Sequence, residues 1–63
     1  MMFNRVLFCK DIDLRGGLYA VSFQTNILLK TLSGWYTGTR TPRFVSLGTI
    51  AVELGFLPDR YAM

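Results

Sequence analysis

Residues 31–55 read TLSGWYTGTRTPRFVSLGTIAVELG, and this stretch contains the clearest helix signals of the chain. Its second half predicts a helix over residues 42–54, because Thr41 is a suitable N-cap and Pro42 suits the first helical position. Gly55 suits a left-handed cap at the other end. Five apolar residues recur at helical spacing: Phe44, Leu47, Ile50, Ala51 and Leu54. We expect this stripe to pack on the core.

The segment just upstream predicts another helix over residues 27–36. Asn26 or Thr25 can cap its start, and Gly38 can end it. Gly34 inside this helix costs about 1 kcal/mol relative to alanine, which tertiary packing must offset. The residues that would share its buried face are Ile27, Thr31, Leu32 and Trp35. We therefore expect Trp35 to be a core residue.

The first third of the chain is open to two interpretations. As a helix, residues 18–25 would bury Leu18, Val21, Ser22 and Thr25. As a strand, the same residues would alternate between two faces, because aromatic and β-branched side chains follow small or polar ones at every second position. Residues 3–10 have the same ambiguity. A hairpin from Arg5 to Gln24, which would make the domain α+β, is the alternative to helices.

The order of residues in 31–55 resembles the second half of a lambda-repressor-like (Cro family) helix-turn-helix domain. The positions that carry the resemblance are Thr31, Leu32, Ser33, Trp35, Gly38, Pro42, Leu47, Ile50, Ala51, Leu54 and Gly55. Members of that family show threonine–aliphatic–serine, an aromatic residue, a glycine and then a proline. A leucine, an isoleucine–alanine pair and a leucine–glycine pair follow at fixed steps. The resemblance extends upstream to Asn26 and Ile27, whereas Leu18 stands where the family commonly has a glutamine.

This resemblance implies one all-α domain over residues 1–63, a compact bundle of four to five short helices. It favours helices over a hairpin in the first third. In such a fold the third helix, near residues 27–36, enters the major groove of double-stranded DNA. The implied function is a DNA-binding transcriptional regulator of the small phage-repressor or Cro type.

The resemblance also implies which residues contact DNA. By register, the residues presented to the bases are Leu28, Leu29, Lys30, Ser33 and Gly34. A lysine can donate to guanine acceptors, a serine can donate or accept, and a leucine can contact a thymine methyl group. The residues implied to lie near the phosphate backbone are Thr37, Thr39, Arg40 and Arg43. Hydroxyl and guanidinium groups there would position the protein without reading sequence.

The charge distribution permits an anionic partner. The net charge is +3, and the isoelectric point is about 9.5. No acidic residue occurs between Asp13 and Glu53, whereas Lys30, Arg40 and Arg43 all lie within that interval. The middle of the chain is therefore cationic or neutral, which suits a polyanion such as DNA without requiring one.

Two apolar groups suggest contacts with protein instead. Leu28 and Leu29 would be adjacent on a solvent-facing surface, and the alternative function is a small protein-binding module or inhibitor that uses them. Phe56, Leu57 and Tyr61 follow the last predicted helix. We hypothesise that this tail supports a homodimer that binds two half-sites. The other interpretation is that the tail folds back onto its own core.

Other features argue against enzymatic and membrane functions. The chain has no histidine, so Cys9 has no base to activate it, and we expect a small core residue. Asp11 and Asp13 lack a third ligand, and we expect a solvated turn rather than a catalytic pair or a metal site. The uncharged residues 16–29 are too few and too polar to span a membrane. We therefore expect a cytoplasmic protein that is not an enzyme and has no cofactor.

Overall fold

The computed structural model describes residues 2–63 and contains four helices over that range. They are α1 (Arg5–Leu14), α2 (Leu18–Thr25), α3 (Leu29–Thr37) and α4 (Phe44–Glu53). No strand occurs among residues 2–63, although Phe3 and Ala62 form one isolated antiparallel bridge. The predicted all-α fold is confirmed, and the alternative of an N-terminal hairpin is wrong. None of these four helices is long and apolar enough to cross a membrane.

α1 forms where the sequence left helix and strand open. The side chain of Asn4 caps it, because its Oδ1 accepts a hydrogen bond from the backbone N–H of Leu7 at 3.2 Å. Phe8 and Ile12, one turn apart, are both fully buried. Asp11 is buried as well, and the i, i+3, i+4 spacing of the three side chains, together with the cap, explains why this segment is a helix rather than a strand.

α2 has the predicted bounds, and Val21 and Thr25 are buried on the predicted face. Asn26 ends α2 in the left-handed conformation, with a φ of 61°, so the expectation that it or Thr25 caps the next helix is wrong. α3 instead starts after Leu28, its N-cap residue, two positions later than predicted. Gly38 ends α3 with a φ of 85°, as the sequence indicated.

α4 begins at Phe44 rather than at residue 42. Pro42 is buried beside Leu47, and the backbone is still extended at Arg43, where ψ is 158°. Arg43 is therefore the N-cap residue, and the assignments of Thr41 as the cap and Pro42 as the first helical residue are wrong. Phe44 is 66% exposed at the end of the helix, so it is not part of the buried stripe.

The core lies between the four helices and the C-terminal tail. Its members, all at most 7% exposed, are Phe8, Ile12, Val21, Leu32, Trp35, Leu47, Ile50, Ala51, Leu54 and Tyr61. The ring centroid of Phe8 lies 5.4 Å from that of Tyr61 and 6.3 Å from that of Trp35, both edge to face. Such pairs add to the free energy gained from burial alone. The prediction that Trp35 is a core residue is confirmed.

The tail after α4 folds back across α1. Tyr61 is fully buried, and its hydroxyl donates to Asp11 Oδ2 at 2.8 Å. Arg60 pairs with the same carboxylate at 2.7 Å and lies over the ring of Phe56, 3.7 Å from its centroid. Asp11 is only 4% exposed, so the expectation of a solvated turn is wrong for this residue. Leu57 is 74% exposed and remains on the surface.

Candidate nucleic-acid interface

The turn between α2 and α3 is held by side chains of α2. Thr25 Oγ1 donates to the carbonyl of Val21 at 2.8 Å and accepts from the backbone N–H of Ile27 at 3.3 Å. Ser22 Oγ donates to the carbonyl of Ile27 at 2.6 Å. With Asn26 in the left-handed conformation, these bonds fix the path of the chain. The two helices therefore keep a defined orientation relative to each other.

The start of α3 presents apolar surface and one cation. Leu28 is 74% exposed and Lys30 is exposed, whereas Leu29 is half-buried. The first turn of α3 has no acidic residue and no side-chain cap. Its first backbone N–H groups therefore have no partner within the helix and carry the positive end of the helix dipole. This end of α3 suits an anionic or hydrogen-bond-accepting partner.

Gly34 lies in the middle of α3 beneath the side chain of Arg40. A Cβ atom at Gly34 would come within 3.2–3.3 Å of three Arg40 side-chain carbons. The backbone N–H of Arg40 also donates to the Gly34 carbonyl at 3.1 Å. The glycine therefore allows the α3–α4 turn to pack closely on α3, which offsets the cost that a glycine brings to a helix. Ser33, its neighbour, is half-buried.

The α3–α4 turn is organised by hydrogen bonds to the end of α3. The Thr37 hydroxyl donates to the carbonyl of Ser33 at 3.0 Å, and the Thr39 hydroxyl donates to that of Gly34 at 3.4 Å. Gly38 donates its N–H to the same Gly34 carbonyl at 3.1 Å. Each hydroxyl has a single proton, so these threonines would have to rotate before donating to a phosphate. The guanidinium groups of the turn are the stronger donors.

Arg40 and Arg43 are exposed, and the buried Pro42 lies between them in the sequence. Arg43 is the N-cap residue of α4, and the first turn of α4 contains no acidic residue and no side-chain cap. Two guanidinium groups thus lie close in sequence to a second helix N-terminus. Such an arrangement attracts anions, because unpaired N–H groups, the helix dipole and formal positive charge act together.

One face of α1 holds the C-terminal end of α3 through Tyr36. Arg5 Nη1 donates to the Tyr36 carbonyl at 2.8 Å, and Cys9 Sγ donates to the same oxygen at 3.3 Å. The Tyr36 hydroxyl donates to Asp13 Oδ1 at 2.9 Å. The three α1 residues are four apart and therefore share a face. This contact brings Arg5 to the α3–α4 turn, where the side chain lies against Gly38.

The same contacts explain the chemistry of Cys9 and Tyr36. Burial is the main cause of the raised pKa of the Cys9 thiol, although Arg5 opposes it. The hydrogen bond to Asp13 raises the pKa of the Tyr36 hydroxyl. Both groups are therefore held in their neutral forms at neutral pH, which disfavours a thiolate nucleophile. Cys9 is half-buried against the core, close to the expectation of a small core residue.

The structure brings the predicted DNA-contacting residues into two groups on one helix and the turn that follows it. The first group, at the start of α3, is Leu28, Leu29 and Lys30; the second, from the middle of α3 to α4, is Ser33, Gly34, Thr37, Thr39, Arg40 and Arg43. Sequence reasoning missed Arg5, which reaches the second group from α1. No local signal indicated it, because this contact spans 31 positions of the chain.

Comparison of the chain with models of protein families, with curated proteins and with solved structures found no match. Support for a function therefore comes from the geometry of α2, α3 and the turn that follows, together with the charges of these elements. In the described residues, the one ion pair joins Arg60 to Asp11, away from this surface. Among these residues, no ion pair therefore engages Lys30, Arg40 or Arg43.

Proposed function

We propose that this protein is a DNA-binding transcriptional regulator of the small phage-repressor type, which inserts α3 into the major groove. The observation that carries the proposal is that the starts of α3 and α4 and the turn between these helices contain three exposed cations and no acidic residue. Two uncapped helix N-termini add their dipoles to the charges of Lys30, Arg40 and Arg43. DNA is the polyanion that such a surface favours, because a helix fits its major groove.

In the proposed complex, the two groups of residues have different roles. Lys30 donates to guanine O6 or N7, and Leu28 contacts a thymine methyl group. Arg40 and Arg43 donate to backbone phosphates, which fixes the register of α3 on the duplex. Gly34 supports this role because it lets Arg40 lie against α3. The complex involves no cofactor and no catalytic step.

We further propose that two copies bind two half-sites about one helical turn apart, as such modules commonly do. Exposed Leu57 and half-buried Phe56 supply apolar surface for a contact between copies. Tyr61 has no exposed surface, so it supports this contact only by holding the tail in place. The protein would act in the cytoplasm, together with its DNA target.

The test is a fluorescence anisotropy titration with a random-sequence duplex at about 50 and 200 mM salt. We expect a dissociation constant of about 10⁻⁴–10⁻⁶ M that weakens steeply as the salt concentration rises, because bound cations release counterions from DNA. Arg40→Gln and Arg43→Gln should each reduce the slope of log K against log salt by about 0.9. Lys10→Gln, which removes an exposed cation from α1, is the matched control and should leave the slope unchanged. Absence of binding at the lower salt concentration would refute the proposal.

A protein-binding module is the second candidate, and one observation favours it. Tyr19 and Phe23, one turn apart on α2, are 80% and 91% exposed, and Leu28 at the start of α3 is 74% exposed. Large exposed apolar groups of this kind commonly mark contacts with protein. Two variants separate the candidates: Lys30→Gln should weaken a DNA complex, whereas Phe23→Ser, at a side chain with no assigned DNA contact, should weaken a protein complex. The second candidate stands if the duplex titration fails, and if wild type and Lys30→Gln capture a protein partner that Phe23→Ser does not capture.

A further inference from the structure

A cleft separates the N-terminus of α1 from the α3–α4 turn. It encloses about 370 Å³ and is lined by Met2, Phe3, Arg5, Gly38, Arg40 and Thr41. Two of these lining residues are arginines, one from α1 and one from the turn. None of the lining residues is acidic, so the arginines are not neutralised within the cleft. A small anion is the ligand that this arrangement suits.

Arg5 is held in place but retains most of its capacity to donate. One hydrogen bond, from Nη1 to the Tyr36 carbonyl at 2.8 Å, fixes its guanidinium. A guanidinium has five N–H donors, and in the described part of the chain no ion pair involves Arg5. Gly38 favours this placement, because a Cβ atom there would lie 3.3 Å from Arg5 Nε, closer than an ordinary contact. The side chain is therefore ordered before any ligand arrives, which lowers the entropic cost of binding.

We propose that Arg5 and Arg40 together bind one phosphate of the DNA backbone in this cleft. The planar, forked guanidinium matches a phosphate geometrically, and two guanidinium groups that line one cleft can share the phosphate oxygens. α1 adds to the attraction, because Arg5 lies in its first turn and that turn has no acidic residue. This inference rests on the proposed DNA-binding function and extends it to α1, which the sequence did not connect with DNA.

Arg5 also has a purely structural explanation, since it satisfies a carbonyl at the C-terminal end of α3. The salt dependence of duplex binding separates the two roles. A phosphate contact predicts that Arg5→Gln reduces the slope of log K against log salt by about 0.9, whereas Arg5→Lys, which keeps the charge, preserves the slope. A structural role alone predicts weaker binding by Arg5→Gln with an unchanged slope. Lys10→Gln is the charge-matched control on the same helix.

A second measurement uses the wild-type chain and is independent of how Arg5→Gln folds. In ¹H–¹⁵N spectra, the Nε–Hε signal of Arg5 should shift when duplex DNA is added. The corresponding signal of Arg15 should not, because its guanidinium is engaged by the Leu54 carbonyl and lies near the Phe56 ring. The Arg15 signal thus reports any general change caused by DNA.

The outcomes distinguish this inference from the function on which it rests. If wild type binds no duplex at low salt, both the function and the phosphate site are refuted. If duplex binding is present and Arg43→Gln, which lies outside the cleft, lowers the slope, the function stands. The phosphate site is then overturned if Arg5→Gln leaves the slope unchanged or if the Arg5 Nε–Hε signal does not move.

Discussion

Asp11 is a buried carboxylate whose hydrogen-bond donors all come from the C-terminal tail. It is 4% exposed and accepts hydrogen bonds from Arg60 Nε at 2.7 Å, from Arg60 Nη2 at 3.0 Å and from the Tyr61 hydroxyl at 2.8 Å. Replacing it by asparagine removes the charge and leaves these donors imperfectly matched. We expect Asp11→Asn to lower the free energy of unfolding by about 2 kcal/mol, since hydrogen bonds to charged groups contribute about 1.5–3 kcal/mol each. Urea unfolding followed by circular dichroism measures this loss.

Asp13 is the matched control on the same helix. It is exposed and accepts one hydrogen bond, from the Tyr36 hydroxyl. Exposed pairs of this kind contribute about 0–1 kcal/mol, so Asp13→Asn should cost clearly less than Asp11→Asn. Equal losses for the two variants would mean that the contacts of Asp11 with the tail contribute nothing beyond a surface interaction.

The pH dependence of stability should be limited by Asp11 at the acid end and by Tyr61 at the alkaline end. The hydrogen bond from Arg60 is the main cause that lowers the pKa of Asp11 below its ordinary value of 3.8, with Tyr61 and Arg15 adding to it and burial opposing it. Its contribution is therefore complete above pH 3.8 and is lost as the pH falls through the lower folded-state value. Burial, and then the bond to Asp11, raises the pKa of Tyr61 above 10.0, so stability should decline as the pH rises past 10.0.

Unfolding free energies measured across this pH range test both limits. Asp11→Asn should reduce the acid decline, and the difference between this variant and wild type should shrink below pH 3.8. Tyr61→Phe should reduce the alkaline decline in the same way. A wild-type profile that stays flat beyond pH 10.0 would contradict the role assigned to Tyr61.

Alanine substitution should have opposite effects on stability at two glycines, one inside a helix and one at the end of a helix. Gly48 lies inside α4, and a Cβ there would have Pro58 Cβ as its nearest neighbour at 3.7 Å, an ordinary contact. Gly48→Ala should therefore stabilise the protein by about 0.5–1 kcal/mol, the cost of a glycine in a helix interior. Gly38 has a φ of 85° and lies against Arg5, so Gly38→Ala should destabilise it by about 1 kcal/mol or more. Thermal unfolding of both variants should move the melting temperature in opposite directions, and a shared direction would refute the assignment.

Local signals in the sequence predicted the ends of helices better than their starts. Gly38 and Gly55 both adopt the positive φ that the sequence indicated, because this conformation depends on the residue itself. The start of α4 was missed because Pro42 is buried and the backbone stays extended through Arg43, so the helix begins only at Phe44. The start of α3 was missed because Asn26 ends the preceding helix instead of capping the next one.

Contacts between distant parts of the chain were beyond the reach of sequence patterns. Asp11 and Arg60 are separated by 49 positions, so neither residue alone indicates the pair. The same holds for Arg5, which meets the end of α3 across 31 positions. The contact between Arg5 and the Tyr36 carbonyl places the Arg5 cation beside the α3–α4 turn. The predicted site therefore included the residues on α3 and the turn but omitted the one on α1.

The N-terminal segment from Met2 and the C-terminal tail are joined by backbone hydrogen bonds beside α1. The backbone N–H of Asn4 donates to the Tyr61 carbonyl at 2.7 Å, and that of Met63 donates to the Met2 carbonyl at 2.9 Å. A domain of this size buries a smaller fraction of its surface than a large one and is correspondingly marginal in stability. The tail is thus a structural part of the domain, since Tyr61 is one of its largest fully buried side chains.

This arrangement separates the stability of the fold from self-association. Tyr61→Ala removes a fully buried aromatic ring and should cost about 3–5 kcal/mol, a large share of the 5–15 kcal/mol typical of a domain. Leu57→Ser, at a side chain that is 74% exposed, should leave the melting temperature unchanged. If copies of the chain associate through the tail, the sedimentation mass of Leu57→Ser falls to that of a monomer while its circular dichroism stays native. An unchanged mass, whether monomeric or dimeric in both proteins, would exclude Leu57 from the contact, because the fold on which the comparison depends is intact.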